Sequence, residues 1–159
     1  MSVRQATAAD AAEVAAIWNH YIRDTAVTFN AQEKTVAEVA ALIEGRPAFF
    51  VALDQDRVAG FATYGQFRGG VGYARTMEHT IQLAPGVSGQ GHGRALMMAV
   101  EDHARTGGAH SMFAGVSGEN PEGRAFHARL GYAETAILPQ VGWKFGRWMD
   151  LVLMQKFLT

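Results

Sequence analysis

The sequence predicts an α+β sandwich built on one mixed sheet, and three observations carry that prediction. Strand-like runs cluster in the middle of the chain. Amphipathic helical stretches precede, separate and follow them, in the order β-α-α-β-β-β-α-β-α-β-β. At 159 residues, with no repeat and no low-complexity tract, the chain is one domain of ordinary size, able to bury about two thirds of its unfolded surface.

Val3–Ala6 reads as a short first strand. Thr7-x-x-Asp10 then caps a helix whose apolar residues Ala11, Val14, Ala15, Ile17, Trp18 and Tyr21 recur at helical spacing. A polar connection covers Asp24–Lys34. Thr35-x-x-Glu38 is a second capping box, opening a helix through Val36, Val39, Ala40 and Ile43 that Gly45 and Pro47 end. Ala48–Leu53 is an apolar strand, Asp54–Arg57 a hairpin turn, and Val58–Phe67 the partner strand, with Gly60 weakening its middle. Arg68–Gly72 is a glycine-rich loop, and Arg75–Ala84 alternates as a strand. From Gly93, the residues Leu96, Ala99, Val100 and Ala104 make one helical face, stopped by Gly107-Gly108. His110–Val116 returns as a buried strand, and Asn120–Leu130 is an amphipathic helix stopped by Gly131. Tyr132–Leu138 and Met149–Phe157 are the last strands, joined by the aromatic-rich segment Gly142–Trp148.

Composition excludes several classes. Lys+Arg 14 against Asp+Glu 15 gives a net charge of −1, so the chain lacks the basic face that neutralises several nucleic-acid phosphates. The longest apolar runs, Ala48–Leu53 and Ala95–Val100, fall far short of the roughly 18 residues of a membrane span. The first residues contain no apolar signal core. With no cysteine there is no disulfide framework, no thiol nucleophile and no cysteine metal site, so a cytoplasmic location is the expectation. Six histidines supply neither His-Glu-x-x-His nor a helical i, i+4 pair, and no metal site is expected. A Ser-His-Asp hydrolase would need a G-x-S-x-G elbow, which is absent.

The chemistry centres on Leu83–Leu96, where an apolar strand runs through a glycine-rich turn directly into a helix. Glycines at 89, 91 and 93 allow positive φ and close approach of a ligand, while the first N–H groups of the helix and its dipole favour an anion. A mobile glycine turn with no ligand is the plain alternative. A P-loop is ruled out, because Gly86…Gly91 is followed by His92 and Gly93 rather than Lys and Ser/Thr. A dinucleotide fingerprint is ruled out by the G-x-G-x-G spacing and by the lack of a carboxylate near Phe113.

The remaining pattern, with Gly91 and Gly93 at its small positions, resembles the [QR]-x-x-G-x-[GA] pyrophosphate loop of the GCN5-related N-acetyltransferases (GNAT), although Ser88 stands where that family usually has Gln or Arg. The resemblance extends over nearly the whole chain through Ile17–His20, Thr76–His79, Asn120, Leu130–Tyr132 and, above all, Gln140–Leu151. It is nearest to the phosphinothricin and methionine sulfone/sulfoximine N-acetyltransferases. It implies a three-layer sandwich, a mixed and mostly antiparallel sheet with helices on both faces. It also implies acetyl-CoA as cosubstrate, a small-molecule amine substrate acetylated on its α-amine, and a homodimer.

Acetyl transfer from a thioester to an amine needs a seated cosubstrate, a neutral amine, a stabilised oxyanion and a protonated leaving thiol. By resemblance, Ser88, Gly89, Gln90, Gly91, His92, Gly93 and Arg94 seat the pyrophosphate. Asn120 either holds the pantetheine arm or is a plain helix cap. Glu78 is the expected base, against the alternative of a solvated strand residue. Alternation puts it on one face with Thr76 and Thr80, and His79 on the other, so His79 is expected to be structural. His127 stands where many relatives carry a tyrosine that protonates the thiolate, and is otherwise a surface histidine. Tyr132 is the weaker acid candidate because its neighbours suggest packing. The Leu83 N–H meets the oxyanion by resemblance. Asn19, Phe29 and Arg75 are the candidates for the amino-acid end of the pocket, with Arg75 forking onto an α-carboxylate. Two other readings stay open: a non-catalytic acyl-CoA sensor, and acetylation of a protein N-terminus or lysine.

Overall fold

Residues 2–159 are described by a computed structural model. Its elements are β1 (Ser2–Gln5), α1 (Ala11–Asp24), α2 (Val36–Gly45), β2 (Ala48–Asp54), β3 (Arg57–Gln66), β4 (Thr76–Leu83), α3 (His92–Thr106), β5 (Ser111–Ser117), α4 (Pro121–Arg129), β6 (Ala133–Lys144) and β7 (Arg147–Phe157), with short 3-10 turns at Ala8–Asp10 and Val71–Tyr73. The expected order of strands and helices is met. The seven strands form one sheet in the order β1-β2-β3-β4-β5-β7-β6, antiparallel throughout except where β4 lies parallel to β5.

Alternation along the strands sends apolar side chains to both faces, and each face gains its own helical layer. On one face Phe49, Val51 and Phe61 pack under Trp18, Ile22 and Val39 of α1 and α2. On the other, Ala62, Tyr64, Met112, Ala114 and Met154 pack under Leu96, Met97 and Val100 of α3, with Phe126 of α4 and Leu130 at its C-cap alongside. Each large side chain buried here contributes about 1.5–3 kcal/mol, which holds the sheet between its two helical layers.

Both capping boxes act, in different ways. Thr35 Oγ1 accepts the Glu38 N–H (3.1 Å), whereas Asp10 reaches back to the Thr7 N–H (2.8 Å) and is gripped by Arg4 at 2.8 and 2.9 Å.

The segment Gly142–Trp148 is not a linker. Phe145 and Gly146 take φ of 54° and 73°, a two-residue turn of the kind whose twist matches paired strands, so β6 and β7 run on to its tip with Trp143 opposite Trp148 and Lys144 opposite Arg147. Aromatic residues at the end of a strand read as a loop in sequence because the turn uses phenylalanine where asparagine or glycine is usual.

The pairing of β4 with β5 places the site. It runs from Thr76–Ser111 to His79–Ala114 and stops, while β4 stays on β3 to Leu83 and β5 stays on β7 to Ser117. Gly60 of β3 helps β4 lean away from β5, since a Cβ there would lie 2.6 Å from Leu83 Cδ2 and 2.9 Å from the Gln82 carbonyl. A wedge opens between the two central strands.

Candidate active site

The wedge is a cleft of about 230 Å³ whose walls include Thr28, Phe29, Glu78, Gly115, Asn120 and His127. Glu78 stands just inside the last paired residues and projects to the α1–α2 face, opposite Gly65 on one side and Phe113 on the other. No hydrogen bond or ion pair occupies its carboxylate among the described residues. Burial pushes its pKa above the ordinary carboxylate range, and the positive charge of Arg46 opposes that rise. Arg46 lies over Gly65, its Nη1 3.4 Å from where a Cβ would be. Glu78 owes its place to another glycine, because a Cβ at Gly115 would sit 2.9 Å from Glu78 Oε2. Neither Arg46 nor Gly115 was legible as a site residue in the sequence, since each acts only through a strand neighbour.

The backbone at the top of the wedge is free to bind. Ala84 donates to the Ala59 carbonyl (2.7 Å), so alternation along the antiparallel ladder turns the N–H groups of Leu83 and Ile81 away from β3, toward the gap. The Leu83 carbonyl on the same side accepts the Tyr21 hydroxyl at 2.6 Å.

Beyond Leu83, Gly86, Gly89 and Gly91 take φ of 87°, 81° and 86°, and nothing stands within 4 Å of the Cβ positions of Gly86 and Gly89. Helix α3 starts at His92 with no side-chain cap; the first helical bond is Ala95 N–H to the Gly91 carbonyl, at 3.1 Å. Three N–H groups, of His92, Gly93 and Arg94, therefore lack helical acceptors, and an open glycine cradle faces them. This geometry fits a pyrophosphate. Ser88, Gln90 and Arg94 are exposed there, while the His92 side chain is buried and leaves only its backbone to the seat. Gly93 departs from the sequence expectation: it lies in the helix, without positive φ, and a Cβ on it would come 3.0 Å from the Phe126 ring. Its small size serves the packing of α4 against α3.

Asn120 caps α4, its Oδ1 accepting the Gly123 N–H at 3.0 Å, and it also lines the cleft, with its amide nitrogen uncommitted. Cap and cleft residue are thus compatible.

His127 is not on the surface. It is 6% exposed, stacked on His79 (7% exposed) with centroids 5.0 Å apart and rings 20° from parallel, and Tyr132 meets both edge-on. Its Nδ1 lies 2.7 Å from the Gly123 carbonyl, which makes that nitrogen the N–H donor and leaves Nε2 a bare lone pair. His127 Nε2 and both nitrogens of His79 are buried without partners among the described residues. Burial pushes the His127 pKa down, against the Gly123 hydrogen bond and the charge of Glu101; burial and His127 together push His79 down to about 3. Burial thus favours the neutral form of both rings. The Tyr132 hydroxyl donates to Glu101 Oε2 (2.9 Å), whose other oxygen takes Lys156 Nζ at 2.6 Å, so Tyr132 is fully committed.

Of the residues expected at the amino-acid end, Phe29 lines the cleft. Asn19 does not reach it, because both ends of its amide are held by the Lys34 backbone at 2.8 Å, closing the connection between α1 and α2. Arg75 is exposed at the zipped end of β4, where its carbonyl accepts the His110 N–H at 2.8 Å, outside the cleft.

A sheet wedged open between two parallel central strands, with a glycine cradle and a helix N-terminus at its mouth, is matched by known proteins. The model of the acetyltransferase (GNAT) family matches residues 14–132. The chain belongs to this family. The L-amino acid N-acyltransferase MnaT of Escherichia coli (strain K12) is 38% identical over 159 residues, covering 98% of this chain and 92% of that protein. The L-methionine sulfoximine/L-methionine sulfone acetyltransferase of Salmonella typhimurium is 36% identical, covering 98% and 93%. Among solved structures, yncA from Salmonella typhimurium, determined with its cofactor acetyl-CoA, superposes with a TM-score of 0.95 at 36% identity over 100% of this chain and 94% of that one. Full-length coverage brings in the β6–β7 hairpin, which lies beyond the residues the GNAT family model matches.

Proposed function

We propose that this protein is an acetyl-CoA-dependent N-acetyltransferase acting on the α-amine of a small amino acid or amino acid analogue, of the methionine sulfone, methionine sulfoximine or phosphinothricin type. The observation that carries the reading is the uncommitted Glu78 carboxylate inside a cleft whose mouth is an open glycine cradle with free N–H groups. Acetyl-CoA supplies the acetyl group as a reactive thioester. The His92–Arg94 N–H groups and Gly86–Gly91 hold its pyrophosphate, with Ser88, Gln90 and Arg94 beside it and Asn120 offering its amide nitrogen to the pantetheine arm.

Glu78 takes a proton from the substrate ammonium, directly or through a water; its raised pKa matches it to that work better than an exposed carboxylate. The N–H groups of Leu83 and Ile81 face the gap and receive the negative charge that develops on the carbonyl oxygen. His127 presents a lone pair at Nε2, so in this tautomer it accepts a proton rather than supplies one. A role as acid to the leaving thiol requires it first to gain a proton, against the burial that lowers its pKa. Phe29 forms the apolar wall of the amine pocket. The similarity to the L-amino acid and methionine sulfone enzymes supports a free amino acid as substrate. The cytoplasm, where acetyl-CoA is available, is the compartment that goes with this reading.

Self-association belongs to the same proposal. Trp143, Phe145 and Trp148 are 56%, 53% and 56% exposed on one hairpin tip, a concentration of apolar surface that favours a partner copy. Sedimentation at micromolar concentration tests it, a monomer being the contrary result. The test of function is a mass-spectrometric screen of free amino acids, their decarboxylated amines and peptides with acetyl-CoA. N-acetylated free amino acid is the expected product; activity confined to peptides, or none, contradicts the reading.

A further inference from the structure

Lys144 lies within the Gln140–Leu151 stretch, where the sequence assigns it no part in the site. Lys144, the last residue of β6, is 4% exposed, and no carboxylate pairs with it among the described residues. Its ammonium donates instead to three backbone carbonyls, those of Thr25 (2.6 Å), Thr28 (2.8 Å) and Tyr21 (3.5 Å). Three N–H bonds meet three acceptors. Tyr21 lies in the last turn of α1 and Thr25 is its C-cap, so these are carbonyls that a helix end leaves without partners, at the negative pole of the helix.

Thr25 adds to the cluster, its hydroxyl donating to the Tyr21 carbonyl (2.8 Å) and accepting the Val27 N–H (3.2 Å). The segment fastened in this way, Val27-Thr28-Phe29, is the wall of the cleft facing Glu78 and Gly115. Two residues before Lys144 on the same strand, Gly142 leaves room for Phe29, since a Cβ there would lie 2.6 Å from Phe29 Cε2. The β6–β7 hairpin therefore grips the wall twice, by charge at Thr25–Thr28 and by shape at Phe29.

We propose that Lys144 is a positioning residue for amine binding, fixing the Val27–Phe29 wall through the three carbonyls while leaving the cosubstrate seat untouched. The proposal rests on the reading of this cleft as the amine site. Mislocating a pocket wall by a fraction of an ångström costs roughly tenfold in substrate use.

The test is Lys144→Met, with Gly142→Ala as an independent variant that keeps the ammonium and displaces the Phe29 ring. Four quantities are read: the KM and the kcat for the amine, the Kd of acetyl-CoA by calorimetry, and hydrogen exchange of the peptide spanning residues 24–30. Both variants are expected to raise the amine KM roughly tenfold with kcat and acetyl-CoA Kd little changed. Exchange should be faster in residues 24–30 and unaltered in residues 86–95. An unchanged amine KM with unchanged exchange, or an equal loss of acetyl-CoA binding, overturns the proposal. Should Lys144→Met fail to fold, Lys144→Gln, which keeps an N–H donor and removes the charge and the reach of the ammonium, decides by the same measures. Should the parent protein acetylate no amine, the functional reading fails by itself, and the exchange of residues 24–30 still decides whether Lys144 positions the wall.

Discussion

Replacing Gly115 by alanine isolates the position of one carboxylate from everything else in the molecule. The added Cβ would begin 2.9 Å from Glu78 Oε2, where ordinary contact starts at about 3.4 Å, so the carboxylate must retreat by about half an ångström. The other neighbour, Leu151 Cδ1 at 3.6 Å, is already at a comfortable distance. Gly115 does not take a positive φ, so alanine suits its backbone, and removing a strand glycine is worth about 0.5–1 kcal/mol in favour of folding. The variant should therefore melt no lower than the parent. A displacement of 1 Å costs about a hundredfold in rate, and half of that about tenfold. Steady-state kinetics on the best amino acid, paired with a melting curve and acetyl-CoA calorimetry, give the answer. The expected result is kcat down about tenfold with stability and acetyl-CoA affinity preserved. A stable variant with kcat within a factor of two of the parent would show that the Glu78 carboxylate does not act from where the structure holds it.

Two more outcomes follow from the site. Acetyl-CoA at about 100 times its Kd should add roughly 2.7 kcal/mol, a rise in Tm of about 5–10 °C for a domain of this size; no shift at millimolar concentration would reject the cosubstrate seat. Arg46→Ala should move the acid limb of the kcat/KM profile to higher pH. In the proposed mechanism Glu78 works ionised, so rate is lost as pH falls through its pKa; burial raises that pKa, Arg46 holds it down in part, and removing the cation lets it climb further. A limb that stays put, or moves to lower pH, would separate Arg46 from Glu78.

The features legible in the sequence are those encoded by local pattern. Helical periodicity from Ala11 to Tyr21, the Thr35 cap and the glycine-rich junction at residues 86–93 each act within a few residues, and the elements stand where those signals put them. The hairpin tip was misread because a positive φ on Phe145 has no local signature. The site was half legible. Glu78, Phe29, Asn120 and His127 meet in the cleft, but His127 is buried against His79 rather than exposed, because α4 packs on a strand that lies nearly fifty residues away in sequence. Asn19 and Arg75 look like pocket residues by type, and the structure commits the first to the Lys34 backbone and leaves the second at the zipped end of β4. Gly115, Arg46 and Lys144 bear on the cleft only through strand pairing, a through-space charge and long-range hydrogen bonds respectively, which single-residue patterns do not carry.

The proposed mechanism depends on Glu78, in the wedge between β4 and β5, taking the proton from the amine. Its most direct measurement is the turnover of Glu78→Gln with acetyl-CoA and methionine sulfone, beside the acetyl-CoA affinity of the same variant. Glutamine keeps the size of the side chain and removes its ability to take a proton, so kcat should fall by roughly 10²–10⁴ while acetyl-CoA binds as before. A folded Glu78→Gln variant that binds acetyl-CoA and turns over within threefold of the parent would contradict the account.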